Sequence, residues 1–179
     1  KTAAFTLPIL QIINAKQSTV KIRDPSALIL APTRELAIQI NESIRKYGQY
    51  IAIKHTVIFG GVKEDPQVKS LASCMDIIVA RPGRLLDLIN QCVCSLNKIQ
   101  FFVLDEADRM LDMGFEPQIR RVVQHSDMPQ PTDGRQTLMF SATFPNTIQQ
   151  LAGDFLNDYV FLAVGRVGAA NTDVDQKIE

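Results

Sequence analysis

The sequence predicts an α/β fold in which a parallel β-sheet is flanked by helices. Three observations lead there. Short apolar runs recur along the chain without strict alternation, as strands covered on both faces require. Segments with helical apolar spacing lie between these runs. Four of the runs stop abruptly at a polar, small-residue segment that opens a turn or a helix. At 179 residues the chain fits one domain with a sizeable core.

The elements follow in order. After "KT", the apolar segment "AAFTLPIL" looks helical. The run 27–31, "ALILA", reads as a buried strand. In "RELAIQINESIRKY" the positions Leu36, Ala37, Ile40, Ile44 and Tyr47 fall on one helical face. Strands are expected at 55–59, "HTVIF", and at 76–80, "DIIVA". A short helix follows at 84–90, "RLLDLIN". The run 101–105, "FFVLD", is a strand, and Pro117 suits the first turn of a helix carrying Ile119, Val122 and Val123. Residues 126–134, "SDMPQPTDG", have loop composition. A strand at 137–140, "TLMF", precedes a helix after Pro145 that carries Ile148, Leu151, Ala152 and Phe155. A last strand is expected at 159–164, and the Gly-, Ala- and Asp-rich tail reads as the start of a linker. The domain is therefore expected to run over 1–165, with 166–179 as linker. Met110, Leu111, Met113 and Phe115 are expected to pack beneath the acidic segment, with Phe101 and Phe102 in the core.

Composition narrows the function. Apolar residues make up 46% and charged residues 21%, with 19 basic and 19 acidic side chains. The strongly basic coat of many nucleic-acid binders is absent, although backbone N–H groups can also hold phosphates. Cys74, Cys92 and Cys94 include no CxxC pair, and His55 and His125 stand far apart, so neither a disulfide framework nor a zinc site is indicated. Cysteine usage fits a reducing, intracellular location. No apolar run approaches the roughly 20 residues that span a bilayer, so no membrane association is expected. The chain starts at Lys1, which reads as part of a longer protein.

The chemistry gathers where the strands end. The pairs are "ALILA" then "PTRELA", "DIIVA" then "RPGRLLDL", "FFVLD" then "EAD", and "TLMF" then "SAT". In an open parallel sheet ligands bind outside the carboxyl ends of the strands, so these segments should share one edge. A strand-terminal Asp105 can hold Mg²⁺, usually through water, and Glu106 can orient or deprotonate an attacking water. Ala107 leaves room, and Asp108 can bond to a neighbouring loop. Taken alone, the same acids are equally a solvated turn. "KT" could end a phosphate-binding loop, with Lys1 reaching the β- and γ-phosphates and Thr2 ligating Mg²⁺, yet two residues carry almost no weight by themselves. Ser141 and Thr143 fit a hydroxyl relay to the acidic loop, and equally a helix cap before Pro145. Arg34 and Arg84 stand in the first turns of helices, where a cation opposes the helix dipole without a stability rationale. An anion docked on each helix N-terminus would make sense of them. The pair Gly60 and Gly61 offers a further close approach, or a plain turn.

Together, "PTRELA", the glycine pair, "PGR", "DEAD" and "SAT" stand in the order and approximate spacing of the DEAD-box RNA helicases, which this chain resembles over almost its whole length. "VLDEADRMLDMGFEPQIRRV", "QTLMFSATFP" and "FLAVGRVG" look most like the Vasa/PL10-like branch, while "LAIQINESIRKYG" and "VIFGGVKEDPQVKSL" look closer to bacterial-type members. The resemblance implies the first of two RecA-like (P-loop NTPase) domains, binding ATP and Mg²⁺ on one side and single-stranded RNA on the other. By motif, Lys1, Thr2, Asp105 and Glu106 would serve the nucleotide, with Thr2 and Asp105 on the metal. Asp108, Ser141 and Thr143 would couple hydrolysis to RNA handling. Pro32, Thr33, Arg34, Gly61, Arg81, Pro82, Gly83 and Arg84 would line the RNA backbone, giving largely sequence-independent binding. Its partners would be RNA and the second RecA-like domain, in the cytoplasm, with the nucleus and ribonucleoprotein granules as alternatives.

This sequence departs from the family pattern in having Arg81 where the family has threonine before "PGR". The phosphate-loop glycines, the adenine-reading segment and the second domain with its arginine fingers are outside this sequence. Two roles fit the same motifs: an ATP-driven helicase that unwinds short duplexes, and an ATP-dependent RNA clamp serving as an assembly platform. A DNA helicase or chromatin remodeller is disfavoured by "DEAD" together with "SAT".

Overall fold

The computed structural model describes residues 1–16 and 24–165. The expected linker, 166–179, lies outside the described residues. Five strands form one sheet in the order β2-β3-β1-β4-β5, every pair parallel: β1 (Ala27–Leu30), β2 (His55–Ile58), β3 (Ile77–Ala80), β4 (Phe101–Leu104) and β5 (Gln136–Met139). The residues of β1, β3 and β4 are all buried, which explains why their sequences run apolar without alternating.

Helices cover both faces. Helix α1 (Thr2–Ala15) and α2 (Arg34–Tyr47) bury Phe5, Ile9, Ala37, Ile40 and Ile44 against Ile29, Val79 and Val103. On the other face α4 (Pro82–Asn90), α6 (Glu116–Val123) and α7 (Asn146–Phe155) bury Leu85, Leu88, Ile119, Val122, Ile148 and Leu151 against Leu28, Ile78 and Phe102. The chain passes from β1 to β2 over the first face and from β3 to β4 over the second. Right-handed crossovers force such a change of face when the direction across the sheet reverses. The loops leaving β1 and β4 therefore diverge to opposite faces and open a crevice at the carboxyl edge.

Two further helices went unread in the sequence. Helix α3 (Asp65–Ala72) buries Gln67 rather than an apolar residue. The Gln67 amide accepts from the Phe59 N–H and donates to the Phe59 carbonyl, both at 3.0 Å, and so stands in for a neighbouring strand at the end of β2. The other, α5 (Ala107–Asp112), has only six residues. The Pro131–Asp133 turn is the one helical piece in the 126–134 loop.

Two expectations are corrected. Residues 159–164 form no strand and pair with no strand among the described residues, and Val160, Leu162 and Val164 are 91%, 83% and 95% exposed. Within that segment Phe161 does pack on Phe144, ring centres 4.6 Å apart. Met113 lies 42% exposed after α5 instead of packing beneath it, whereas Met110 is fully buried. Cys94 is buried, its thiol pushed up to about 11 by burial and then by the Asp24 charge, while Cys92 is exposed. No helix among the described residues is long and apolar enough to cross a membrane.

Candidate active site and nucleic-acid interface

The parallel register fixes the geometry of the site. Leu30 pairs with both Ala80 and Leu104, Ile58 with Ala80, and Leu104 with Met139. The segments after all five strands therefore emerge on one edge of the sheet. Pairing runs one residue further than the strands themselves: the N–H groups of Ala31, Asp105 and Phe140 donate to Ala80, Leu30 and Leu104 carbonyls at 3.0, 3.0 and 2.8 Å. Asp105, Glu106, Ser141, Arg34 and Arg84 are thus brought to a common rim, as the sequence required.

Asp105 is 3% exposed. Burial raises its pKa, and the Glu106 N–H, donating to Oδ1 at 3.0 Å, lowers it again in part, as does Lys1. Among the described residues that N–H is the one hydrogen bond on the carboxylate. A desolvated acid with so few donors is stabilised by a nearby cation. Lys1 occupies the N-cap of α1 and Thr2 its first position, so both stand close to this acid's field.

Glu106 adopts a left-handed backbone, φ 53° and ψ 53°, at the N-cap of α5. For a residue with a Cβ this costs about 1–2 kcal/mol. The neighbours over-determine the turn: the Ala107 N–H donates to Phe140 O at 3.0 Å, and Ala107 is completely buried. On the Glu106 side chain sits one ion pair, Arg109 Nη1 at 3.4 Å, between two partly exposed groups. Such a surface pair is weak and yields readily to another partner.

The acidic loop and the "SAT" segment are joined by Asp108. Its Oδ2 accepts from Thr143 Oγ1 at 2.9 Å, from Thr143 N at 3.0 Å and from Ala142 N at 3.2 Å. Burial raises the Asp108 pKa, but the bonds from Thr143, the Arg109 N–H and the nearby Ser141 hydroxyl outweigh it and hold the group below the usual carboxylate range. Ser141 Oγ lies within electrostatic reach of Asp108 yet is buried without a hydrogen bond of good geometry. A buried hydroxyl in that position is poised for a further partner. Because the folded pKa of Asp108 is lowered, its contribution to stability is present above about pH 4 and is lost as pH falls through the folded value. Asp108→Asn leaves a donor facing donors, so it should cost about 1 kcal/mol. Differential scanning calorimetry should show this as a fall of about 2–4 °C in Tm at neutral pH, shrinking in acid.

Across the rim lies a cleft of about 370 Å³, lined by Gly61, Arg81, Gly83, Arg84, Asp87 and Phe115 among others, whereas Pro32, Thr33, Arg34 and Pro82 are not part of its lining. Gly61 has φ 83°, a conformation that side chains rarely adopt. Pro82 is the first residue of α4 and Thr33 caps α2, its Oγ1 accepting from Leu36 N at 3.2 Å. Pro32 is buried, and its carbonyl accepts from Arg81 Nε at 3.2 Å. The two helix-start arginines do have partners, which corrects the expectation that nothing stabilises them there. Arg84 Nη2 pairs with Glu64 at 3.0 Å, and the Arg34 guanidinium lies 4.6 Å from the Phe59 ring centre. The sequence places Phe115 in packing beneath the acidic segment and not in a cleft; no local pattern marks its place there, or the pairing of Glu64 with Arg84 and of Phe59 with Arg34, because these contacts span the fold.

Among the described residues no group of three or more His, Cys, Asp or Glu side chains could cage a metal. Mg²⁺ keeps several waters and takes one or two carboxylates plus substrate phosphates. Asp105, a desolvated oxygen donor, and the Thr2 hydroxyl fit that demand in kind.

A parallel sheet carrying acids and helix starts on its carboxyl edge defines a RecA-like domain, and comparison with known proteins agrees. The chain belongs to the DEAD/DEAH box helicase family, whose model matches residues 1–151. It is similar to a DEAD box protein from the hyperthermophile Methanococcus jannaschii, with 38% identity over 89% of this chain and 41% of that one, TM-score 0.78. A hypothetical ATP-dependent RNA helicase from Sulfolobus tokodaii shares 33% identity over 89% of this chain and 43% of its own, TM-score 0.75. The yeast DEAD-box splicing factor Prp28 shares 34% identity over 87% and 37%, TM-score 0.80. The chain thus spans less than half the length of each of these structures.

Proposed function

We propose that this domain is the nucleotide-handling part of an ATP-dependent RNA helicase, with sequence stretches that resemble both the Vasa/PL10-like branch and bacterial-type members. It would bind ATP with Mg²⁺ at Lys1, Thr2, Asp105 and Glu106, and hold the backbone of single-stranded RNA along Pro32, Thr33, Arg34, Gly61, Arg81, Pro82, Gly83 and Arg84. The observation that carries this reading is the convergence of the acidic loop, the hydroxyl segment and the two helix starts on one sheet edge. Bound Mg²⁺ would supply neutralisation of charge on the triphosphate. Glu106 would orient the attacking water and take its proton on the side-chain carboxylate, leaving its weak pair with Arg109. Asp108 ties that loop to Ala142 and Thr143, so a shift of either segment is felt by the other. The cleft glycines and helix-start amides offer donors to phosphate oxygens without reading bases, which supports sequence-independent binding. The second RecA-like domain would close over both ligands.

The test uses the longer protein that contains this domain. ATP turnover should rise on adding single-stranded RNA of any sequence and should not rise on adding single-stranded DNA. Turnover indifferent to RNA would refute the reading. Strand separation of a short duplex alongside that turnover supports the helicase role; turnover with stable RNA retention and no separation supports the clamp.

A further inference from the structure

Arg81 is half-buried and touches three separate segments of the rim. Its backbone N–H continues the β2–β3 pairing by donating to the Ile58 carbonyl at 2.8 Å, a bond that does not depend on its side chain. Its Nε donates to the Pro32 carbonyl in the loop after β1, at 3.2 Å. Its guanidinium carbon stands 4.9 Å from the centre of the Phe115 ring. Phe115 in turn occupies the N-cap of α6 and donates its N–H to Met110 O of α5 at 2.9 Å. Helix α5 starts from Glu106. The Arg81 side chain therefore connects the loop that caps α2 to Phe115 at the start of α6, whose backbone in turn bonds to the end of α5. Arg81 and Phe115 also line the same cleft as Gly61 and Arg84.

We propose that Arg81 is a positioning residue that couples RNA occupancy of the cleft to the geometry of the acidic loop; the proposal rests on the RNA-binding reading above. Arginine suits the task because its planar, always-charged fork can donate along its edge while it stacks on an aromatic face. A polyanion entering the cleft attracts the guanidinium, and any shift of that plane changes its stacking on Phe115 and so the seat of α5. Threonine, with its hydroxyl one bond from Cβ, reaches neither Pro32 nor Phe115. Lysine keeps the charge but has neither the planar face nor the fork.

The experiment measures ATP turnover of the longer protein against RNA concentration for wild type, Arg81→Lys, Arg81→Thr, Phe115→Leu and the Arg81→Lys/Phe115→Leu double variant. The turnover rate at saturating RNA should fall by about 3-fold or more in Arg81→Lys and in Phe115→Leu. The half-saturating RNA concentration should move less than that rate. The double variant should be no slower than Arg81→Lys alone, because the two residues act through one contact. Three results would overturn the proposal. Arg81→Lys could match wild type while Arg81→Thr only raises the half-saturating concentration, which makes Arg81 a simple phosphate contact. The losses could add in the double variant. Or Tm could fall with the RNA-saturated rate intact, which makes Arg81 a brace and nothing more. A wild-type protein that RNA does not stimulate overturns the RNA-binding reading itself, and the wild-type curve separates that failure from the others.

Discussion

Glu106→Gln in the longer protein should lower RNA-stimulated ATP turnover by about 10²–10⁴-fold, the usual contribution of a positioned general base. Glutamine keeps the size of the side chain and its ability to hydrogen-bond, but it takes no proton at neutral pH. The substitution should leave the fold intact, because the left-handed turn at position 106 is held by its neighbours: Ala107 N–H on Phe140 O, and Asp105 N–H on Leu30 O. The pair between Glu106 and Arg109 is partly exposed and contributes little, so its loss should not move Tm measurably. Steady-state turnover, nucleotide affinity and thermal unfolding together check the claim. Turnover close to wild type, with ATP still bound, would remove Glu106 from the chemistry and leave the acids as a structural turn.

The isolated 179-residue chain should turn over ATP about 10³–10⁵-fold more slowly than the longer protein at saturating RNA, the range an arginine finger contributes in related phosphoryl transfer. The arginine beside the acidic loop, Arg109, is paired with Glu106, and Arg120 is held by Glu116 and Asp154 at 2.8 and 2.7 Å. The rim arginines Arg81 and Arg84 line the other cleft. Among the described residues these arginines all have partners or line the cleft, so we propose that the arginine finger comes from the second domain. Adding the second domain in trans should restore part of the rate. Turnover by the isolated chain equal to that of the longer protein would place the missing cation within these residues.

Much of the architecture was legible because it follows from local rules. "ALILA", "DIIVA" and "FFVLD" read as strands because each is buried on both faces, and α2 was read to its last residue from its apolar spacing. Sheet order and register then brought the motif residues to one rim, and Asp108 met Thr143 as expected. The misreadings share a cause. Helix α3 fully buries only a glutamine, whose partner is the backbone of Phe59, and its two apolar residues, Val68 and Leu71, make too short a pattern to detect. Residues 159–164 have the composition of a strand but, among the described residues, no neighbour to pair with, and pairing is a property of the sheet. Glu64 beside Arg84, and Phe115 beside Arg81, are contacts between distant positions that no local pattern encodes.

The most direct measurement is a crystal structure of the longer protein with a non-hydrolysable ATP analogue, Mg²⁺ and a uridine oligomer. The account predicts the triphosphate and metal against Lys1, Thr2 and Asp105, and backbone phosphates of the oligomer in the cleft beside Gly61, Gly83 and Arg84. An oligomer bound at the amino ends of the strands, or a nucleotide held away from Asp105, would contradict it.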